Sequence, residues 1–171
     1  MLCVIGENIT YLILIHAVDG GAVAEPPNVI APIGTPISEL IEFCGGFKEE
    51  PEKVLYGGPM MGITVPNVSL PILKNTNAII ALTKKEAIEP KTTACIRCGT
   101  CTHHCPFGLN PAEIARAYAK KDIAYMKKLR VDVCMECGCC SFICPAHRPL
   151  VQTNKLSKAW LREESAKEAK K

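Results

Sequence analysis

Apolar side chains recur at Ile37, Leu40, Ile41 and Cys44, the i, i+3, i+4 and i+7 positions of one helical face. Thr35 stands before them as a cap, Pro36 supplies a first helical position, and Gly45-Gly46 ends the run. On either side the pattern changes to short apolar stretches set between Gly and Pro. Asn28 to Ile33 predicts a strand broken by Pro32, and so an edge or bent one. Lys53 to Tyr56, Ile63 to Val65 and Ala78 to Leu82 predict further short strands, and Asp19-Gly20-Gly21 a turn. Strands, one helix and strands again make a small α+β unit of β-grasp type. Farther along, Asn110 caps and Pro111 opens a helix whose Ile114, Ala115, Ala117 and Tyr118 share a face. A second short helix is expected over residues 121–129. From about residue 155 the chain is rich in Lys, Ala and Glu, which predicts a solvated, fraying helix.

Composition narrows the class. The chain has 171 residues, 48% of them hydrophobic, enough for one domain or two small ones and too apolar for general disorder. Aromatic residues make up only 5%, so Ile, Leu, Val and Ala must build the core. The best apolar run, Ile9 to Val18, is roughly half of what a bilayer needs, and the first twenty residues lack a secretory pattern. Residues 1–90 carry five Lys and Arg against ten Asp and Glu, a balance of −5; residues 91–171 carry fifteen against seven, a balance of +8. Two units with different surroundings are therefore expected.

The eleven cysteines carry the chemistry, and nine of them fall between residues 95 and 144. Shifted by 39 positions, Cys95, Cys98, Cys101 and Cys105 fall on Cys134, Cys137, Cys140 and Cys144, with Gly99 on Gly138 and Pro106 on Pro145. Each copy reads C-x2-C-x2-C-x3-C-P, the bacterial iron–sulfur run. Three thiolates at steps of three lie on one tight loop, near enough to hold three irons of one cube. Gly after the second Cys lets the backbone approach closely. The fourth Cys, followed by Pro, leaves the loop, and in two-cluster ferredoxins it ligates the other cluster. The spacing thus assigns Cys95, Cys98, Cys101 and Cys144 to one [4Fe–4S] cluster, and Cys134, Cys137, Cys140 and Cys105 to a second.

Other uses of the thiols fit less well. Zinc prefers two Cys pairs separated by a dozen or more residues, and a disulfide framework belongs to exported chains. Redox C-x-x-C pairs occur, but inside two complete copies of a longer pattern. Cys139 falls on Thr100 of the first copy and reads as a small loop residue, Cys44 as core, and Cys3 fits no pattern. His103 and His104 lie in the first Cys loop and read as polar neighbours of a site that four Cys already complete. Gly57-Gly58-Pro59-Met60-Met61-Gly62 lacks the endings of phosphate-binding loops and predicts a tight turn with a packed Met pair. No nicotinamide or flavin site is evident in these residues, and no acid, base or nucleophile constellation.

The stretches APIGTPISELIEFCGGF, VLYGGPMMGITVP, ACIRCGTCTHHCPFGLNPAEI and CMECGCCSFICPAHRPLVQTNKLSKAWL resemble the C subunit of the Rnf electron-transport complex, in its C-terminal half. The resemblance covers roughly residues 20–160. It implies an SLBB-type β-grasp domain over 19–90 and an α-helical two-cluster ferredoxin domain over 91–152. Residues 1–18 are left as an unmatched remnant and 153–171 as a charged tail. It further implies a peripheral subunit on the cytoplasmic side of a prokaryotic membrane. The complex passes electrons between ferredoxin and NAD and couples this to Na⁺ or H⁺ translocation. Expected partners are the other subunits of that complex, with ferredoxin or flavodoxin as carriers; nucleic acid is not expected. The family's N-terminal flavin- and NADH-binding portion has no counterpart here, so FMN is expected only in that portion and this polypeptide is expected to carry electrons alone. Two alternatives remain: the electron-transfer part of a microcompartment cobalamin reductase, or a binding module whose clusters are structural. The Arg148-Pro149-Leu150-Val151-Gln152 stretch favours the Rnf type.

Overall fold

Residues 2–6 and 9–168 are described by the computed structural model, with side chains from Leu14 onward. They fall into two compact units, Met1–Glu89 and Pro90–Lys171. The first holds strands β1 (Leu2–Gly6), β2 (Ile9–Asp19), β3 (Asn28–Pro32), β4 (Lys53–Tyr56), β5 (Ile63–Thr64) and β6 (Ala78–Leu82), with helix α1 (Ile37–Phe43) between β3 and β4. They form one mixed sheet in the order β1-β2-β6-β4-β5, with β3 also paired to β2. β2 runs parallel to β6 through Ala17–Ala78, Val18–Ile79 and Asp19–Ile80, and antiparallel to β1 and β3. The α+β expectation holds. The run Ile9–Val18, for which the apolar pattern predicts no element, forms β2 and joins three other strands.

Helix α1 closes this core. Ile37, Leu40 and Ile41 are buried against Val18, Val29, Val54 and Ile79, and Cys44 is buried just past the helix end. Burial pushes the Cys44 thiol pKa up, as expected of an inert core thiol. The start of α1 differs from the expectation. Pro36, not Thr35, takes the cap position and makes no side-chain cap bond. The Thr35 hydroxyl donates instead to the Pro32 carbonyl at 2.8 Å, tying the helix entry to the end of β3. The Gly57–Gly62 loop is a tight turn, with Gly62 N–H donating to Gly58 O at 2.7 Å. Met60 and Met61 are both exposed.

The second unit is helical. It contains α2 (Thr100–His103), α3 (Pro111–Ala119), α4 (Ile123–Lys128), a 3-10 turn (Val131–Val133), α5 (Cys139–Phe142) and α6 (Leu150–Glu168). Asn110 caps α3 as the sequence predicts, its side chain accepting from Glu113 N–H at 3.1 Å. Asp122 does the same for α4 through Tyr125 N–H at 2.9 Å. α6 starts earlier than expected and is packed along one face. Leu150, Asn154, Ser157 and Leu161 are buried, and Trp160 meets Tyr118 of α3 edge to face at 5.9 Å. Ile114, Ala117, Met126, Val131 and Leu161 form the main core of this unit.

Candidate metal centre

The 39-residue repeat of the sequence is a repeat of the backbone. α2 and α5 are offset by 39 positions, as are the starts of α3 and α6. Thr102 N–H donates to Gly99 O, and Ser141 N–H to Gly138 O, both at 3.0 Å. Gly108 N–H donates to Cys105 O, and His147 N–H to Cys144 O, again at 3.0 Å. Left-handed residues recur in the same register: Arg97 (φ 57) with Glu136 (φ 62), and Gly99 (φ 76) with Gly138 (φ 83). A Cβ placed on Gly99 would meet nothing within 4 Å, so its backbone conformation is what calls for glycine there. Arg97 and Glu136 adopt that conformation without glycine's freedom, at a cost of about 1–2 kcal/mol each. Left-handed residues set among ordinary ones are the backbone form from which N–H nests for anionic groups, iron–sulfur sites included, are built.

Each loop half-encloses a cavity, and the fourth thiol of each comes from the other copy. One cavity is bordered by Cys95, Cys98, Cys101 and Cys144, with Ala112 and Ala115 of α3 in its wall. The other is bordered by Cys134, Cys137, Cys140 and Cys105, with Cys139 and Asn154 beside them. Cys101, Cys140 and Leu150 are buried together in one small core, against which Cys144 packs, so the two loops meet there. Among the described residues no three Cys, His, Asp or Glu side chains converge on a point suited to a single metal ion. The thiols instead border each cavity in fours, a donor set that suits a cluster taking one thiolate on each iron.

The thiols are not electrostatically alike. Cys98 is exposed, and the Thr100 hydroxyl donates to its sulfur at 3.2 Å, which holds its thiol pKa down. Burial pushes Cys140 up to about 11, with neighbouring Cys134 adding to the effect. Cys139, at the position of Thr100, has its thiol pKa raised, first by the neighbouring Cys137 thiol. Metal uptake therefore has to draw the proton from Cys140 against burial. His104 Nδ1 donates to Thr100 O at 2.9 Å, and neither His103 nor His104 borders either of these two cavities.

Residues not singled out from the sequence also reach the thiols. Asn154 Nδ2 donates to Cys134 Sγ at 3.5 Å, and Lys158 Nζ donates to Cys134 O at 2.7 Å while pairing with Glu136 at 2.6 Å. Their signal lay in the repeat itself: 39 positions earlier stand Ala115 and Ala119, so the two copies differ in polarity where both should face a loop.

An SLBB-type sheet followed by paired thiol cages is the arrangement of an iron–sulfur electron-carrier module. Known proteins bear this out: residues 16–64 match the SLBB domain and residues 87–145 the 4Fe-4S dicluster domain. The chain is 45% identical over 150 residues to the C subunit of the ion-translocating oxidoreductase complex of Rhodobacter capsulatus, covering 88% of this chain and 29% of that protein. It is 46% identical over 101 residues to the C subunit of the proton-translocating ferredoxin:NAD(+) oxidoreductase complex of Clostridium ljungdahlii, 59% of this chain and 22% of that one. The Na(+)-translocating counterpart of Acetobacterium woodii is 40% identical over 104 residues, 61% of this chain and 23% of that one. The chain is thus a homologue of the C subunit of Rnf complexes and spans less than a third of the length of these relatives.

Proposed function

We propose that this chain carries single electrons through two [4Fe–4S] clusters, as part of a membrane-associated ferredoxin:NAD oxidoreductase complex coupled to Na⁺ or H⁺ translocation. The observation that supports the reading is that Cys144 lines one cavity together with Cys95, Cys98 and Cys101, and Cys105 lines the other together with Cys134, Cys137 and Cys140. A bound [4Fe–4S] cluster supplies one-electron redox chemistry at a potential set by its surroundings. The chain's residues supply the thiolates, the N–H groups of the Gly99 and Gly138 loops, and apolar walls that exclude water from the shared core of Cys101, Cys140 and Leu150. The +8 balance of residues 91–171 favours reduced, more negative states and an acidic partner such as a ferredoxin or flavodoxin.

The flavin and nicotinamide steps are assigned to other parts of the complex, FMN among them, and the chain docks peripherally on its cytoplasmic side. Among the described residues no helix is long and apolar enough to cross a membrane. Relatives named as proton- and as Na⁺-translocating both match, so either ion suits the reading. The deciding experiment is anaerobic assembly of the full chain with iron and sulfide, followed by metal analysis and EPR of the reduced protein. About eight irons per chain and two interacting paramagnets are expected from two four-iron sites. Cys144→Ser should disturb the cluster of the Cys95 loop and spare that of the Cys134 loop. Loss confined to the Cys134 loop would overturn the exchanged assignment, and a chain that binds no iron would overturn the function.

A further inference from the structure

Asn154 is 1% exposed, lies one helical turn into α6 and turns its amide to the sulfur of Cys134, while its own Oδ1 has no hydrogen-bond partner. A buried acceptor without a partner is costly, and an apolar side chain at this place would avoid the cost. What the amide supplies in return is its N–H. One turn farther along, Lys158 grips the carbonyl of the same cysteine and the carboxylate of Glu136, so α6 holds Cys134 at both its sulfur and its backbone. The equivalent positions of the first copy are Ala115 and Ala119, which donate nothing from their side chains. There, a side-chain donor reaches sulfur from Thr100, whose partner Cys98 is exposed, so water competes for the contact.

We infer that Asn154 is a potential-setting residue, which raises the reduction potential of the cluster held in the Cys134 loop and makes the two halves of the repeat inequivalent. This rests on the ligand assignment proposed above. Reduction adds one electron to a cluster and leaves more negative charge on its cysteine sulfurs. A donor fixed on one of those sulfurs inside a buried wall stabilises the reduced state over the oxidised one. The ammonium of Lys158 acts in the same direction, but its charge is shared with Glu136, which leaves the amide as the selective contact.

The test is a mediated redox titration of the full chain followed by EPR, with electrons supplied by dithionite. Asn154→Ala copies the residue that the first half already carries at this place. It should lower one of the two midpoint potentials by about a tenfold change in the reduction equilibrium, ~59 mV for one electron, and leave the other in place. Ala115→Asn, the reciprocal change, should raise the other midpoint, and it decides the matter if the Asn154 variant loses its second cluster. Unmoved midpoints in both variants, or equal movement of both midpoints in either, would overturn the inference while the two clusters stand. A wild-type chain with fewer than two clusters would overturn the ligand assignment itself, and the inference with it.

Discussion

Gly20 shows how strictly one position can be specified. Its φ is +106°, and a Cβ there would lie 2.1 Å from the carbonyl oxygen of Ala81 on β6. That oxygen already accepts the N–H of Ala22, so neither chain can retreat without breaking the turn that follows β2. Gly20→Ala should therefore destabilise the first unit by at least about 3 kcal/mol. Gly46→Ala, with φ +81° but open space around it, should cost about 1–2 kcal/mol. Denaturant unfolding of the two variants side by side measures the difference, and equal losses would refute the steric account. His16 on β2 is specified by charge instead. It is wholly buried, neither ring nitrogen finds a hydrogen-bonding partner, and desolvation holds its pKa below the ordinary 6.5, with the nearby Thr76 backbone offsetting only part of that. Between pH 6.5 and the lowered folded value the unfolded chain binds the extra proton, so stability rises with pH across that window and falls on acidification. As pH falls below 6.5, amide exchange along β2 should speed up relative to its intrinsic rate. In His16→Leu that excess should vanish; if it persists, another group is responsible.

At the scale of the element, what was legible followed from how local its causes are. The cysteine pattern is local: thiols at steps of three, a glycine, a proline, then the same again 39 positions on, and the backbone repeats in that register. α3 was legible because its cap and first residue, Asn110 and Pro111, are adjacent in sequence. β2 was not legible, because Ile9 to Ile15 is mostly a continuous apolar run, without the alternation that separates strand from helix. Its parallel partner β6 also lies far along the chain. The packing of α6 was hidden for a different reason. Its inward face runs Leu150, Asn154, Ser157, Leu161, and two polar residues interrupt the stripe that would have marked it. Ser157 satisfies itself by donating to Thr153 O at 2.8 Å, whereas Asn154 commits its amide to Cys134. Polarity on a buried face reads as solvent exposure when only the sequence is available, and here one of the two residues, Asn154, marks the wall of a thiol cavity.

The two units depend on different kinds of cohesion, and this governs how the whole chain should respond to loss of metal. The first has a continuous aliphatic core in which Ile37, Ile72 and Ile79 are fully buried. In the second, the cysteines are part of what it buries: Cys101 and Cys140 form one core with Leu150, and Cys105 and Cys134 flank the other. Four thiolates on each cluster would cross-link α2, α5 and the loops before α3 and α6, so binding energy there is folding energy. Removing iron by chelation should therefore loosen residues 90–168 and leave the sheet of the first unit intact. The chain's one tryptophan, Trp160, reports on this directly, because it lies on α6 against Tyr118. Its emission should shift to the red on metal removal, and helical circular dichroism should fall with it, since α1 is the one α-helix described in the first unit. Amide protection of β2 and β6 should be unchanged in the same sample. If Trp160 stays buried in the metal-free chain, its aliphatic contacts hold this unit together without the clusters; if the sheet loosens as well, the two units share a stability that their separate cores do not imply.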